Sequence, residues 1–187
     1  MAYYILASAS PRRKQLLEWA EISFEIKVHP TDESFPAHLT PTQTAEYIAV
    51  QKANGVASTI TNNAVVIAAD TIVVLDGEII GKPRDREDAI SILSKLSGQN
   101  HLVITGVAIQ QGEKLVQFSD VTEVVFHSLT EQQITFYIDK YKPYDKAGAY
   151  GIQDWIGVVG IKSIHGDFYN VMGLPVSRVV QALAQFS

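Results

Sequence analysis

Ile5-Leu6-Ala7-Ser8-Ala9-Ser10-Pro11-Arg12-Arg13 reads as a short apolar strand, a run of small residues and a helix start. Ser10 stands where an N-cap belongs, and Pro11 stands at the first helical position, where a missing N–H costs nothing. Arg12 and Arg13 then fall in the first turn, beside unpaired backbone N–H groups. A helix N-terminus is already partly positive, so two cations there oppose its dipole. A bound anion relieves that conflict, and phosphate is the common one at such a place. The competing reading is a pair of solvated arginines on a surface helix.

Working outward, strand and helix patterns alternate. The first strand is expected near Tyr3–Ala7 and the first helix from Pro11 to about Ala20, with Leu16, Leu17 and Ala20 on one face. A second strand is expected near Phe24–Val28, followed by a polar loop from His29 to Leu39 that holds Asp32 and Glu33. Thr40, Pro41 and Gln43 announce a second helix through a capping box, with Ala45, Ile48, Ala49, Ala53 and Val56 on its inner face. Ala64–Leu75 is a run rich in Val and Ile that predicts buried β-structure, and Asp76-Gly77 predicts a hairpin back through Glu78–Ile80. Asp85 caps a third helix with Ala89, Ile92, Leu93 and Leu96 inward, closed by Gly98. Two long strands, His101–Gln110 and Lys114–Phe126, flank a turn at Gln111-Gly112. Thr130 and Gln133 open a fourth helix carrying Ile134, Tyr137, Ile138 and Tyr141, and Pro143 stops it. Tyr144–Gly157 reads as a Gly-rich polar segment, Val158–Ile164 as a strand ahead of a turn at His165-Gly166-Asp167, and Pro175 as the start of a last helix burying Val176, Val179, Val180 and Leu183. Interleaved strands and helices with several hairpins predict an α/β fold with a mixed sheet.

The chain of 187 residues is long enough for one domain, or one domain with two lobes, and has no internal repeat. It contains no cysteine, so disulfides and thiolate metal sites are excluded. Neither a leader peptide nor an apolar run long enough for a bilayer is visible, and the expected location is the cytoplasm with no membrane partner. The net charge of −5 argues against a nucleic-acid partner, because no basic field or stripe is present. Positive charge for a polyanion must therefore be gathered locally.

Asp70 is the strongest single signal. A carboxylate in so apolar a run costs several kcal/mol if left charged and unpaired, so it requires a cation, a metal or hydrogen-bond donors. It is read either as a structural aspartate or as a general base or metal ligand. Lys52 falls on the apolar face of its helix, and either snorkels from the edge of that face or aims its ammonium into a site. Lys82 lies at a strand end between Gly81 and Pro83, where sites are commonly built. Glu33 on sequence alone is a solvated loop carboxylate. Taken together, Ser8, Ser10, Arg12, Arg13, Lys52 and Lys82 suit a triphosphate, and Asp70 with Glu33 suits a divalent metal held by oxygen. That combination is the chemistry of phosphoryl or nucleotidyl transfer to water. No Walker P-loop is present, and the five histidines are scattered without zinc spacing.

Leu6-Ala7-Ser8-Ala9-Ser10-Pro11-Arg12-Arg13, Asp32-Glu33, Lys52-Ala53, Ala69-Asp70-Thr71, Gly81-Lys82-Pro83, Leu96-Ser97-Gly98, His101 and Thr105-Gly106, in that order, resemble the Maf family of nucleotide pyrophosphatases over nearly the whole chain. The resemblance implies an elongated mixed α/β fold of the Maf/ITPase kind across residues 1–187, with two lobes around a cleft. It implies hydrolysis of a nucleoside triphosphate to the monophosphate and pyrophosphate, a divalent cation (Mg²⁺ or Mn²⁺) as cofactor, frequent homodimers, and a link to cell-division arrest. Asp145-Lys146-Ala147-Gly148-Ala149-Tyr150-Gly151-Ile152-Gln153, with Gly166 to Pro175, resembles the subgroup acting on dTTP and UTP. The subgroup associated with methylated GTP carries a cysteine-containing segment near this position instead. By the same resemblance Asp70 is the general base, and Glu33, paired with Asp70 above as a ligand for the divalent metal, lies in the same cleft. Arg12, Thr71 and Gln153 are linked with substrate specificity; Ser8, Arg13, Lys52 and Lys82 complete the substrate site. The amide of Gln153 can complement the N3–H and O4 of uracil or thymine. The alternative is a non-catalytic nucleotide-binding regulator of septum formation. One departure from the family pattern is Ala20-Glu21-Ile22, where relatives usually place a Gly after the first helix.

Overall fold

The structure, a computed structural model, describes residues 3–61 and 63–186. Strand β1 (Tyr4–Leu6) leads into helix α1 (Pro11–Trp19), then β2 (Phe24–Ile26) and α2 (Pro41–Ala57). Next come β3 (Val65–Leu75), β4 (Glu78–Ile80) and α3 (Arg86–Leu96). They are followed by β5 (Asn100–Gln111), β6 (Lys114–Phe126) and α4 (Glu131–Tyr141). After a 3-10 turn at Ala147–Ala149, the chain forms α5 (Trp155–Gly160), β7 (Ile161–His165), α6 (Phe168–Met172) and α7 (Val176–Leu183). The described residues form a seven-stranded sheet in the order β2-β1-β3-β5-β6-β7, with β4 paired to β3. Strand β1 pairs in parallel with β2 and β3, whereas β3–β4 and β6–β7 are antiparallel, so the sheet is mixed as expected. Among the described residues, no helix is long and apolar enough to cross a membrane.

The chain divides into two compact units. The first comprises residues 1–71, 105–120 and 173–187. Its core sets Ile5 and Ala7 of the first strand and turn, Ala49, Ala53 and Val56 of α2, and Val66 and Ala68 of β3 against one another. The capping box at Thr40 forms completely, with Gln43 N–H on Thr40 Oγ1 and Thr40 N–H on Gln43 Oε1. Helix α2 then lies so close to β5 that a Cβ on Gly106 would stand 2.2 Å from the Ala45 carbonyl carbon. Only glycine fits there.

The second unit comprises residues 72–104 and 121–172. Helices α3 and α4 pack against each other, and Leu93, Leu96, Tyr137 and Ile138 on them are all fully buried. At their exposed side Arg86 and Asp139 form a two-pronged ion pair at 2.6 and 3.0 Å. Within the core, His101 Nε2 meets the Tyr150 hydroxyl at 2.7 Å, and both rings stack edgewise or tilted on Phe126.

Two expectations are corrected. Val158–Gly160 belong to α5 and not to a strand, which begins only at Ile161. The reason is local: Asp154 stands at the N-cap position, its carbonyl accepts the Gly157 N–H at 2.9 Å, and glycine at 157 lets the turn close on Ile152. Residues 168–172 add a short helix that the apolar pattern did not announce. Val180 is 45% exposed, and α7 turns Val179, Ala182 and Leu183 inward instead. In a run of adjacent valines the helical period decides which one is buried.

Candidate active site

Strand β1 ends at Leu6, and the chain stays bound to β3 one residue longer, through Ala7 N–H on Ile67 O at 2.8 Å. The turn is then fixed by its own hydroxyls. Ser8 Oγ accepts the Ser10 N–H at 3.2 Å, and Ser10 Oγ caps α1 by accepting the Arg13 N–H at 3.5 Å. Arg13 lies at the inner side of this turn and is only 8% exposed. Its guanidinium donates through Nε to Gly173 O at 2.8 Å, through Nη1 to Ser8 Oγ at 3.2 Å and through Nη2 to Thr71 Oγ1 at 3.0 Å. None of these acceptors carries a charge. Burial lowers the pKa of Arg13, and neighbouring Arg12 pushes the same way; Asp70 and Glu33 partly offset the effect. An arginine nevertheless remains protonated, so this is a positive charge held in place by neutral oxygens. Arg12 is half-buried on the same helical turn.

Asp70 sits in the middle of β3, at the end of a run in which every residue from Val65 is buried. Lys52, from the edge of the inner face of α2, donates to Asp70 Oδ1 at 2.7 Å and reaches Glu33 Oε1 at the same distance. The Asp70 side chain is 12% exposed and that of Glu33 is 49% exposed. The loop that carries Glu33 is bent by Asp32, whose two carboxylate oxygens accept the Ser34 N–H at 2.9 Å and its hydroxyl at 2.8 Å. One ammonium thus gathers two carboxylates, and of the partners the sequence allowed for Asp70, a cation, a metal or hydrogen-bond donors, the structure shows the cation Lys52. Thr71, next along β3, hydrogen-bonds to Thr105 at 2.9 Å while accepting from Arg13.

The first unit therefore brings together Ser8, Arg13 and Thr71 in one network and Glu33, Lys52 and Asp70 in another. Lys82 and Gln153 belong to the second unit. Lys82 is exposed just after β4, on a segment tethered by Gly148 N–H to Gly81 O at 3.2 Å. Gln153 is exposed on the turn ahead of α5 and lines a pocket of about 450 Å³ with Ile152, Val158, Ile161, Ile164 and Phe168. Sequence reasoning gave no role to the Gly173 carbonyl or to Thr105. Nothing in residue type marks a backbone acceptor far along the chain as a partner for a given arginine.

For a metal, Glu33 and Asp70 provide the oxygen donors that a hard divalent cation takes, and their convergence on Lys52 marks a place that attracts positive charge. Among the described residues, no group of three or more His, Asp or Glu stands ready for a metal, so substrate oxygens would complete any such site.

A strand, a serine-capped turn carrying two arginines, and a lysine bridging two carboxylates are the features of a phosphate-handling α/β protein. The family model described as Maf-like protein matches residues 3–186, and the chain belongs to that family. Among its relatives, the dTTP/UTP pyrophosphatase of Cytophaga hutchinsonii is 51% identical over 179 residues, covering 96% of this chain and 82% of that protein. The protein of the same name from Bacteroides thetaiotaomicron is 47% identical over 176 residues, covering 94% and 91%. That from Bacillus cytotoxicus is 47% identical over 186 residues, covering 100% and 96%.

Proposed function

We propose that this protein is a nucleoside triphosphate pyrophosphatase that hydrolyses dTTP and UTP to the monophosphate and pyrophosphate. The observation that carries the reading is the pair of networks in the first unit, a buried Arg13 bonded only to neutral oxygens beside an Asp70 held by Lys52. The relatives named as dTTP/UTP pyrophosphatases supply the substrate class.

In this mechanism Arg12, Arg13 and Ser8 bind phosphate oxygens, with Lys82 contributing a further cation. Thr71 keeps Arg13 oriented, because its hydroxyl fixes one arm of the guanidinium. Lys52 occupies Asp70 Oδ1 and leaves Oδ2 to take a proton from water. The water oxygen forms a bond to the α-phosphorus, the bond from that phosphorus to the bridging oxygen breaks, and pyrophosphate leaves with the electron pair. Glu33 and Asp70 would hold a magnesium or manganese ion, which when bound supplies Lewis-acid polarisation of the phosphate. Gln153 reads the pyrimidine through its amide; a base with the wrong hydrogen-bond pattern leaves that amide unpaired and is disfavoured.

Purified protein incubated with dTTP or UTP and a divalent cation is expected to release one pyrophosphate per monophosphate. Release of orthophosphate without pyrophosphate would place the broken bond elsewhere and overturn the mechanism. Binding of the nucleotide without turnover in excess substrate would support the regulator reading in its place.

A further inference from the structure

The turn that displays Gln153 is held from beneath by a residue with no assigned role. Tyr137 of α4 is fully buried and stacks on Tyr141 with ring centres 5.1 Å apart. Its hydroxyl donates to Asp154 Oδ2 at 2.6 Å and accepts the Gly151 N–H at 3.0 Å. One oxygen therefore clamps both ends of Gly151-Ile152-Gln153-Asp154. A third bond, Asp154 N–H to Gly151 O at 3.0 Å, closes the turn on itself.

The space above Gly151 is shared by two groups. A Cβ built there would stand 2.7 Å from Asp154 Oδ2 and 3.1 Å from Gln153 Nε2. The anchored carboxylate and the amide of Gln153 are thus neighbours. A carboxylate attracts the NH₂ end of an amide and repels its carbonyl end. Held in that sense, Gln153 turns its oxygen outward as an acceptor. An outward acceptor suits the N3–H of uracil and thymine and opposes the unprotonated N3 of cytosine.

We infer that Tyr137 and Asp154 are positioning residues that fix the Gln153 turn and the sense of its amide, and so set preference for uracil and thymine over cytosine. The inference rests on Gln153 reading the base. Burial pushes the Tyr137 pKa upward, with the Asp154 carboxylate adding to the effect, so the hydroxyl stays a donor throughout the working pH range. Neither residue has to touch the nucleotide to act in this way.

The test is the ratio of kcat/KM for UTP to that for CTP in wild type, Tyr137→Phe, Asp154→Ala and Gln153→Ala, with thermal unfolding of each. Tyr137→Phe keeps the ring and removes only the hydroxyl. Losing one such hydrogen-bonded anchor is expected to lower the ratio about tenfold, mainly through KM for UTP, with kcat within about twofold of wild type. Asp154→Ala is expected to do the same at a more accessible position, and decides the matter if Tyr137→Phe does not fold. If Gln153→Ala collapses the ratio while both positioning variants keep it, the inference is wrong and the base-reading role of Gln153 stands. Equal loss on UTP and CTP in the positioning variants also overturns it, because that is the signature of general damage. If Gln153→Ala leaves the ratio untouched, the base-reading role falls and this inference falls with it.

Discussion

Arg13 in the first unit and His101 in the second are both buried, at 8% and 2% exposure, and their surroundings treat charge in opposite ways. Around Arg13 every hydrogen-bond acceptor is aligned to hold a cation. Around His101 there is one hydroxyl and two aromatic rings, Nδ1 has no hydrogen-bond partner among the described residues, and burial lowers the pKa to about 4. Arginine cannot shed its proton, so the fold had to build acceptors for it. Histidine can, so the second unit keeps a neutral ring and needs only one partner. The first unit thus stores fixed charge, which suits phosphate. Around His101 the second unit relies on a neutral hydrogen bond and aromatic packing instead.

The largest expected effect breaks the charged side of that contrast. Asp70→Asn keeps the shape of the carboxylate but removes its basicity and its charge attraction for Lys52. Turnover of dTTP is expected to fall at least ~10²-fold, the low end for a general base. Near-normal turnover in a steady-state pyrophosphate assay would remove Asp70 from that role.

The next tests the neutral side. The folded pKa of His101 is about 4 and its ordinary value is 6.5, so the unfolded chain binds more protons between these values. Stability is therefore undiminished above pH 6.5 and is lost as pH falls toward 4. The full loss from this group is roughly 3 kcal/mol. Urea unfolding at pH 7 and pH 5 is expected to show about 2 kcal/mol of it, and His101→Gln is expected to lower stability overall while flattening this part of the pH dependence. An unchanged slope in the variant would assign the acid sensitivity to other groups.

Arg13→Lys sharpens the comparison further. A lysine keeps the charge but has no planar fork, so it cannot reach Gly173, Ser8 and Thr71 at once. The expected loss is about 2 kcal/mol in urea unfolding, since at least one buried acceptor is left unpaired. Pyrophosphate is expected to raise the unfolding midpoint of the wild type and to do so less in this variant. Equal protection of both would mean that Arg13 shapes the turn without helping to hold the anion.

How far this could be read from residues depends on the kind of signal. Helix caps were legible because each is a local rule: Ser10, Thr40, Asp85 and Thr130 all accept the backbone N–H three residues on. The need of Asp70 for a cation was legible from the apolarity around it, and Lys52 from its place on the inner face of α2. The arrangement of Arg13 was not. Gly173 lies 160 residues away, and a backbone carbonyl has no side chain to announce it. Helix α5 was missed because Trp155–Gly160 is a short apolar run, and such runs do not separate helix from strand by periodicity. Tyr137 was assigned to the core correctly, but its hydroxyl, the part that acts, is invisible to a hydrophobic pattern. Lys82 was legible from its place at a strand end, whereas Gln153 is reached only through motif order, a signal that carries no geometry.

The smallest expected effect concerns Glu21, at the C-terminal end of helix α1. Helix α1 ends with Ile22 N–H on Leu17 O at 3.1 Å and Glu21 N–H on Glu18 O at 3.0 Å, the paired bonds of a Schellman cap. That cap needs a left-handed residue, and Glu21 provides it at φ 55°. Glutamate pays a steric penalty there that glycine does not. Glycine also loses more chain entropy on folding, which works in the other direction. The conformational term is the larger at a fixed positive φ, so Glu21→Gly is expected to stabilise the protein by about 0.5–1 kcal/mol in urea unfolding, with turnover of dTTP unchanged. Helix α1 starts at the arginine turn, so a firmer end tests whether that turn depends on the whole helix or on its own hydroxyls. Ser8, Ser10 and Thr71 bind Arg13 or its backbone directly and none of them lies near Glu21 in the chain. A gain in stability with unaltered KM is therefore the outcome that assigns the geometry of the phosphate end to the turn itself; a changed KM would assign part of it to the far end of α1.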